Sequence, residues 1–320
     1  MTKKQVFAFL MITAGTAAAG YLLYHTFRDH SAGEIVASLE AIPMGHMAMA
    51  LLYAFGSYLC LTGFDWVGVR SIDGKLTYPR IALASFIALS IGQSVGLSGL
   101  SSGALRYRYY AHWGLDAENV AKIVLLSGVT VGMGMAVLSG AVMIINPADA
   151  AAVLRVSEGT IIVLGAGCLT VAAAYLLMAA WLRTPLTIRT WSFQMPPLRL
   201  AATQLAIGTM NYIFVSACLR EVMTAEANVS FLKAATAFML ANFAILMTHA
   251  PGGLGVLEAT VQHVMGNQAS VGSLVAFRII YFFIPFLIGL PLALVVEAIF
   301  RVRKRIARAS TASKAPVPAR

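Results

Sequence analysis

Uncharged stretches and short charged segments alternate along the whole chain. Each stretch lacks Asp, Glu, Lys and Arg and is close to the roughly 20 residues that a helix needs to cross a ~30 Å hydrocarbon core. The segments between them are short, so the pattern predicts a single all-α polytopic membrane domain with no inserted soluble domain. The eight stretches are 5–27, 41–64, 81–105, 123–148, 159–182, 200–219, 234–257 and 279–296.

Two of these stretches contain a Gly-rich interruption that runs directly into ionisable residues. The first interruption reads GLSGLSSGALRYRYYAHWG (96–114), and the second reads HAPGGLGVLEATVQH (249–263). Backbone that breaks a helix at membrane depth is tolerated only where it is buried in protein or lines a cavity. A matched pair of breaks is typical of a transporter site, so we place the candidate site there.

The distribution of positive charge favours re-entrant hairpins at both breaks. If all eight stretches crossed the membrane, Arg106, Arg108 and Lys122 would lie on the outer side, against the positive-inside rule. If the third and seventh stretches are hairpins, every loop obeys the rule. We therefore expect six full spans and two hairpins that enter from opposite faces. Eight plain transmembrane helices are the alternative.

This topology divides the chain into two inverted halves, about 1–148 and 159–300, each with three spans and one hairpin. A basic cytoplasmic tail follows at 301–320. Lys3 and Lys4 before an apolar run resemble a signal peptide, but the run continues through Tyr24 and seven more apolar stretches follow, so we expect an uncleaved first span. Both termini are expected on the cytoplasmic side of the cytoplasmic (inner) membrane.

Composition agrees with a polytopic membrane protein and narrows the classes of possible binding partner. The 320 residues are 59% hydrophobic and 11% charged, against about 25% charged in soluble domains. We attribute the net charge of +10 to a cytoplasmic flank that faces anionic lipid, and we do not expect this charge to bind nucleic acid. The three cysteines lie far apart with no metal-ligand spacing, so we expect no metal and no cofactor.

Three charged residues beside the breaks are the first candidates for chemistry. A charge at the bilayer centre costs at least ~2.5–3.5 kcal/mol, so Arg106, Glu258 and Arg278 each need a partner or a watery cavity. One arrangement pairs Glu258 with an Arg across the two hairpins. Another leaves an Arg free to bind an anionic headgroup, because guanidinium matches phosphate oxygens. Interfacial anchoring or a structural ion pair is the alternative for each residue.

The tips of the breaks add donors for an anionic headgroup. Half-helices that begin after Gly99 and Gly253 would point their N–H groups inward. The predicted headgroup-binding residues are Arg106, Arg278, Ser98, Ser101, Ser102, Gly252 and Gly253, with Glu258 and His249 as counter-ion or proton carriers, and Arg108, Tyr107, Pro251 and Gly255 in secondary positions.

Other polar and glycine positions have simpler interpretations. Gln93, Gln204, Asn211 and Asn242 either line a path or form hydrogen bonds between helices. Gly128 and Gly132 form a GxxxG spacing, which predicts close helix packing.

Three motifs in the expected order resemble one family. PGGLGVLEA (251–259), SGLSSGALRYRYY (98–110) and FRIIYFFIPFLIG (277–289) are similar to signatures of the lysylphosphatidylglycerol synthase/flippase transmembrane family (MprF flippase-domain-like, UPF0104/YbhN-like). The resemblance implies a membrane protein that moves or handles polar lipids. No aminoacyl-transferase domain follows the last span, so we do not expect lipid aminoacylation or another enzymatic activity.

The leading hypothesis is an ATP-independent translocator of a polar phospholipid or related lipid. The alternative is a membrane-embedded subunit or scaffold of a lipid-modifying pathway (hopanoid, glycolipid or aminoacyl-lipid). Expected partners are membrane phospholipids, lipid-synthesis enzymes and a second copy of the chain, with no nucleic acid.

Overall fold

A computed structural model describes residues 33, 36–37 and 40–313, with gaps at 96–97, 183–185, 189–190, 194, 225–227, 249–250 and 267–268. The first predicted span, 5–27, lies outside the described residues, as does His249. The helices are α1 (Met44–Ser71), α2 (Tyr78–Val95), α3 (Ser98–His112), α4 (Ala117–Ile145), α5 (Pro147–Leu154), α6 (Glu158–Trp181), α7 (Leu198–Thr224), α8 (Phe231–Thr248), α9 (Val256–Met265), α10 (Val271–Arg278) and α11 (Ile284–Ser313).

Two short non-α turns and a small ribbon complete the described elements. A 3₁₀ turn, Pro251–Gly253, separates α8 from α9, and a π turn, Ile279–Phe283, joins α10 to α11. Strands β1 (Leu186–Ile188) and β2 (Trp191–Phe193) form an antiparallel ribbon in the loop between α6 and α7. The predicted all-α membrane fold is thus confirmed, with this ribbon as a small addition.

Among the described residues, six helical segments are long and apolar enough to cross a membrane, as expected of a multi-pass membrane protein. The set differs from the predicted one. The predicted span 5–27 is outside the described residues, and α8, predicted as one arm of a hairpin, is among the six, whereas α2 is not. The segments are Met44–Ser71, Ala117–Ile145, Glu158–Trp181, Leu198–Thr224, Phe231–Thr248 and Gly272–Val302.

Both Gly-rich breaks separate helices that pack against each other. In the first pair, Ser101 Oγ donates to the Gly92 carbonyl at 3.2 Å, and a Cβ built on Gly92 would lie 2.8 Å from Ser102 Cβ. In the second pair, α8 and α9 pack together across the 3₁₀ turn. The order of helix, broken helix pair and helix therefore occurs twice, once as α1 to α4 and once as α7 to α11.

The two repeats meet where α4 crosses α7, and the backbones of the two helices are in direct contact there. A Cβ on Gly134 would lie 2.3 Å from the carbonyl carbon of Gly208, and a Cβ on Gly208 would lie 2.5 Å from the Thr130 carbonyl oxygen. Neither position accepts any side chain. The predicted close packing at Gly128 and Gly132 is wrong, because no described atom lies within 4 Å of a Cβ built on either.

Buried amides tie the spans together near this crossing. Gln204 donates from Nε2 to Thr130 Oγ1 at 3.0 Å and accepts from the Tyr175 hydroxyl at 2.5 Å. Asn211 accepts from Ser57 Oγ at 2.7 Å. These two predicted polar residues thus form hydrogen bonds between helices, the simpler of the two interpretations.

Candidate functional site

A cavity of about 340 Å³ lies between the two helix pairs. Both broken segments reach it, together with α1, α4 and α7. Its lining combines aromatic rings with amide, hydroxyl and guanidinium groups, a mixture that is typical of small-molecule sites. The lining residues with polar side chains or tip backbone are Gln93, Ser102, Arg106, Ser127, Asn211, Tyr212, Asn242, Gly252, Gly253 and Tyr281.

The charged centre of the cavity wall is an ion pair between Arg106 and Asp65. Asp65 is fully buried, and Arg106 is 4% exposed. Arg106 Nε donates to both Asp65 oxygens, at 3.0 and 2.8 Å. Tyr110 donates to Oδ2 at 2.8 Å and Ser127 to Oδ1 at 3.1 Å. The carboxylate is therefore saturated with donors, as a buried charge requires.

Helical spacing on α3 explains how this pair is assembled. Ser102, Arg106 and Tyr110 are four residues apart, so they share one face of the helix, and that face meets Asp65 on α1. Arg106 Nη1 donates to Ser102 Oγ at 3.1 Å, and Nη2 has no hydrogen-bond partner among the described residues. A guanidinium has five N–H donors, so Arg106 keeps unused donors at the cavity wall.

Asp65 is a candidate site residue that the sequence did not predict. It stands directly after the second uncharged stretch, 41–64. The available signal was its isolation in the apolar run LTGFDWVGV (61–69), since an ionisable residue within a span is a functional candidate by default.

The second ion pair joins Arg278 to Glu258 and lies behind the second tip. Arg278 donates to both carboxylate oxygens of Glu258, from Nη2 at 3.0 Å and from Nε. It also donates from Nη1 to the Gly252 carbonyl and from Nη2 to the Gly253 carbonyl, both at 3.0 Å. Gly252 and Gly253 line the cavity, whereas Arg278 and Glu258 are not among its described lining residues.

The backbone of the second tip requires glycine. Gly252, Gly253 and Gly255 have φ values of 59°, 63° and 71°, in the left-handed region that residues with a Cβ rarely adopt. A Cβ on Gly253 would also lie 2.5 Å from Ile245 Cδ1. The carbonyls of this turn lie outside regular helix, and the Arg278 guanidinium satisfies two of them.

These contacts correct two expectations about the charged residues. Glu258 does not pair with an Arg across the hairpins, because its partner is Arg278 at the end of α10. Arg278 is not placed to hold a headgroup, because Glu258 and the tip carbonyls engage four of its five N–H donors and it is not among the described residues that line the cavity. Glu258 forms its ion pair with the arginine that supports the tip.

The remaining predicted residues divide between structural contacts and the protein surface. Ser101 is buried and bonds to Gly92 of α2. Arg108 pairs with Glu297 of α11, and Tyr107 is 49% exposed. Ser98 begins α3 and Pro251 begins the 3₁₀ turn, and their side chains lie outside what the structure describes, as His249 does entirely.

Three of the four amides that were predicted either to line a path or to form hydrogen bonds between helices reach the cavity. Gln93 and Asn242 line it, and so does Asn211, which also bonds between helices. The side-chain oxygen of Gln93 is buried and has no hydrogen-bond partner among the described residues. Gln93 therefore offers a hydrogen-bond acceptor at the cavity wall. Within the described ranges, no three His, Cys, Asp or Glu side chains come together as a metal site.

Comparison with known proteins agrees with the motifs. Residues 10–293 match the family model described as the lysylphosphatidylglycerol synthase TM region. An uncharacterized protein of Synechocystis sp. is 27% identical over 255 residues, which is 78% of this chain and 79% of that protein. The inner membrane protein YbhN of Escherichia coli is 28% identical over 262 residues, which is 78% of this chain and 81% of YbhN.

A third relative is a larger enzyme of which this chain matches only a part. The phosphatidylglycerol lysyltransferase of Staphylococcus aureus is 22% identical over 309 residues, which is 91% of this chain and 34% of the enzyme. The family match is to a transmembrane region and extends over most of the chain. This protein therefore belongs to the family of the lysylphosphatidylglycerol synthase transmembrane region, whose members are membrane proteins related to lipid handling.

Proposed function

We propose that this protein translocates a polar lipid between the two leaflets, with the headgroup passing through the cavity between the broken helix pairs. The observation that carries the proposal is the cavity wall at Arg106. There, a guanidinium with unused donors lines the same cavity as the Gln93 oxygen, which has no hydrogen-bond partner among the described residues, inside a helical membrane domain. Membership of a lipid-related family supports the same substrate class.

The volume of the cavity limits what enters it. At about 340 Å³, it is at the lower end of the ~300–1,000 Å³ that ligand sites occupy. That space holds a phosphate-bearing headgroup but not a whole diacyl lipid. The acyl chains therefore stay in the bilayer while the headgroup crosses, which requires no ATP-driven machinery.

Arg106 is the proposed phosphate ligand, and Asp65 positions it. The Nε atom stays on Asp65, and the Nη edge faces the headgroup, so phosphate binding requires no rupture of the buried pair. Ser102, Gln93 and Asn242 hydrogen-bond the other headgroup atoms, and Gly252 and Gly253 permit close backbone approach. Arg278 and Glu258 hold the second tip in its strained form.

Both broken helix pairs are proposed to be re-entrant, with the basic end of α3 on the cytoplasmic side of the inner membrane. Helix α9 has 10 residues, so it spans about 15 Å, half of a hydrocarbon core. The positive-inside rule supports the same assignment for α3. Cysteines placed singly at Ser98, Arg106 and Pro251, in a variant without native cysteines, test it by their labelling with impermeant maleimide from each side. Re-entrance of the first pair predicts that residue 106 is labelled from the cytoplasmic side only.

Reconstituted liposomes test the translocation directly. Purified protein is inserted into vesicles that contain phosphatidylglycerol with a fluorescent acyl chain, and dithionite quenches the label in the outer leaflet. Wild-type protein should make nearly all label accessible, whereas Arg106→Gln should lower the rate at least tenfold. Lys122→Gln is the matched control, because Lys122 pairs only with Glu118 on the surface of α4 and should translocate normally.

A stability-matched variant separates loss of function from misfolding. The double variant Asp65→Asn with Arg106→Gln leaves no unpaired charge in the wall, so it should fold but still not translocate. If Arg106→Gln and the double variant both translocate at the wild-type rate, the proposed headgroup site is wrong.

A further inference from the structure

A second cluster of charges, outside the cavity, connects α3 to the last helix. Arg108 donates through Nη2 to one oxygen of Glu297, and Arg301 donates through Nε to the other at 3.1 Å. Two guanidinium groups thus share one carboxylate, and the three side chains carry a net charge of about +1 at neutral pH.

The two arginines keep most of their donors unused. Each guanidinium has five N–H groups, and one from each is engaged by Glu297. Neither arginine has another side-chain partner in the part of the chain that the structure describes. The Arg108 and Arg301 side chains are 26% and 54% exposed, whereas Glu297 is 15% exposed. The cluster therefore presents guanidinium edges to its surroundings and keeps its carboxylate covered.

The position of the cluster is that of a membrane headgroup layer. Glu297 and Arg301 lie at the end of the last candidate span, Gly272–Val302. Beside them, His112 stacks on Phe300 with ring centroids 3.6 Å apart, and Trp113 meets the same ring edge-on at 6.2 Å. Aromatic side chains of this kind concentrate at membrane–water interfaces.

Apolar surface continues from the cluster along α11. Ile299 and Val302 flank Arg301 and are 44% and 53% exposed. A ligand that contacts both the guanidinium edges and this surface must carry an anionic group next to an apolar chain. Free phosphate satisfies only the first requirement.

We propose that Arg108, Glu297 and Arg301 form a binding site for the phosphate of an anionic glycerophospholipid, held between α3 and α11 with an acyl chain along α11. Arginine binds phosphate oxygens through paired N–H groups, and Glu297 fixes the two arginines relative to each other. Glu297 is already neutralised by the two arginines, so the net positive charge of the cluster repels a cationic group such as choline. The site therefore selects phosphatidylglycerol-type lipids over phosphatidylcholine.

This site is separate from the proposed headgroup path. Arg108 follows Arg106 by two residues, which places it about 200° around the helix, and it is not among the described residues that line the cavity. The inference does not depend on translocation, because it concerns equilibrium binding at the rim of the first helix pair.

Lipid binding to the full chain in detergent tests the proposal. Native mass spectrometry is used to titrate wild-type protein with phosphatidylglycerol and with phosphatidylcholine of the same acyl chains. We expect at least tenfold tighter binding of phosphatidylglycerol and a loss of at least tenfold in the Arg108→Gln/Arg301→Gln variant. Arg199→Gln is the matched control, because Arg199 is exposed at the start of α7 and should bind as wild type does.

Glu297→Gln provides a test with the opposite sign. Removing the carboxylate raises the charge of the cluster and frees two donors, so phosphatidylglycerol binding should strengthen several-fold even though α3 and α11 lose a contact. A purely structural role predicts weaker or unchanged binding. The proposal is overturned if the double arginine variant binds phosphatidylglycerol normally, if Glu297→Gln weakens binding or leaves it unchanged, or if inorganic phosphate competes fully at equal concentration.

Discussion

The two ion pairs beside the cavity use the same chemistry in opposite ways. In the first pair, the acid is the centre of the network: Asp65 accepts from Arg106, Tyr110 and Ser127. In the second pair, the base is the centre: Arg278 donates to Glu258 and to two carbonyls of the tip. The difference decides which partner retains free hydrogen-bonding capacity.

A charged side chain whose hydrogen-bonding groups are engaged supports the structure, whereas one with unused groups facing the cavity is available to a ligand. Asp65 has no capacity left, so Arg106 offers its remaining donors to the cavity. Arg278 has four of its five N–H donors engaged, and neither it nor Glu258, which is 24% exposed, is among the described residues of the cavity wall. In the proposed mechanism, the ion pair of Arg106 and Asp65 binds the headgroup, whereas the ion pair of Arg278 and Glu258 shapes the second tip.

The largest effect is expected from Asp65→Asn alone. It leaves the Arg106 charge buried without a counter-charge, and breaking a buried pair in this way costs about 3–5 kcal/mol. Thermal unfolding in detergent should show a large drop in midpoint, and the Asp65→Asn/Arg106→Gln double variant should recover much of it. A single variant as stable as wild type would contradict the buried pair.

Arg278→Gln should be the next most damaging change. It removes a donor from two tip carbonyls and leaves Glu258 unpaired, but Glu258 is partly exposed and partly rehydrates, so we expect a loss of about 2 kcal/mol. Translocation per folded molecule should fall because the tip loses its shape, while equilibrium binding of a soluble phosphoglycerol headgroup persists. If Arg278→Gln lost headgroup binding to the same extent as Arg106→Gln, the proposed difference in role between the two ion pairs would be wrong.

Gly253→Ala tests the tip without touching either charge. Its φ of 63° and the 2.5 Å approach of its Cβ to Ile245 predict a loss of about 1–3 kcal/mol. Gly132→Ala is the control, since no described atom lies within 4 Å of its Cβ and alanine favours helix by about 0.5–1 kcal/mol. Equal unfolding midpoints for the two variants would contradict the strained tip.

The smallest effect on stability is expected from Gln93→Leu. This change removes an unpaired buried oxygen, so the free energy of unfolding should stay within about 1 kcal/mol or rise. Translocation should nevertheless fall several-fold, because a headgroup contact is lost. Normal translocation by this variant would show that Gln93 does not contact the headgroup and that Arg106 does so without it.

The sequence predicted the breaks well because their signals are local. Gly252, Gly253 and Gly255 are required by backbone conformation, which a short motif records directly. The ion pairs were harder, because Asp65 precedes Arg106 by 41 residues and Glu258 precedes Arg278 by 20. Charge alone does not show which side chains meet.

Helix contacts show the same limit. The GxxxG spacing of Gly128 and Gly132 is a local pattern that predicted packing, yet the helices touch at Gly134 and Gly208. These two residues lie on different helices, and the GxxxG spacing includes neither. Tertiary placement decides which glycine faces a neighbour.

The direct backbone contact between α4 and α7 has a mechanical consequence. The angle between packed helices is normally fixed by side-chain ridges that fit into grooves, and at Gly134 and Gly208 there are no ridges. Side chains therefore do not fix the crossing angle of α4 and α7 at this point, and one turn away the Gln204 amide donates both to Thr130 Oγ1 and to the Leu126 carbonyl of α4. A change in the crossing angle of these two helices would strain both hydrogen bonds.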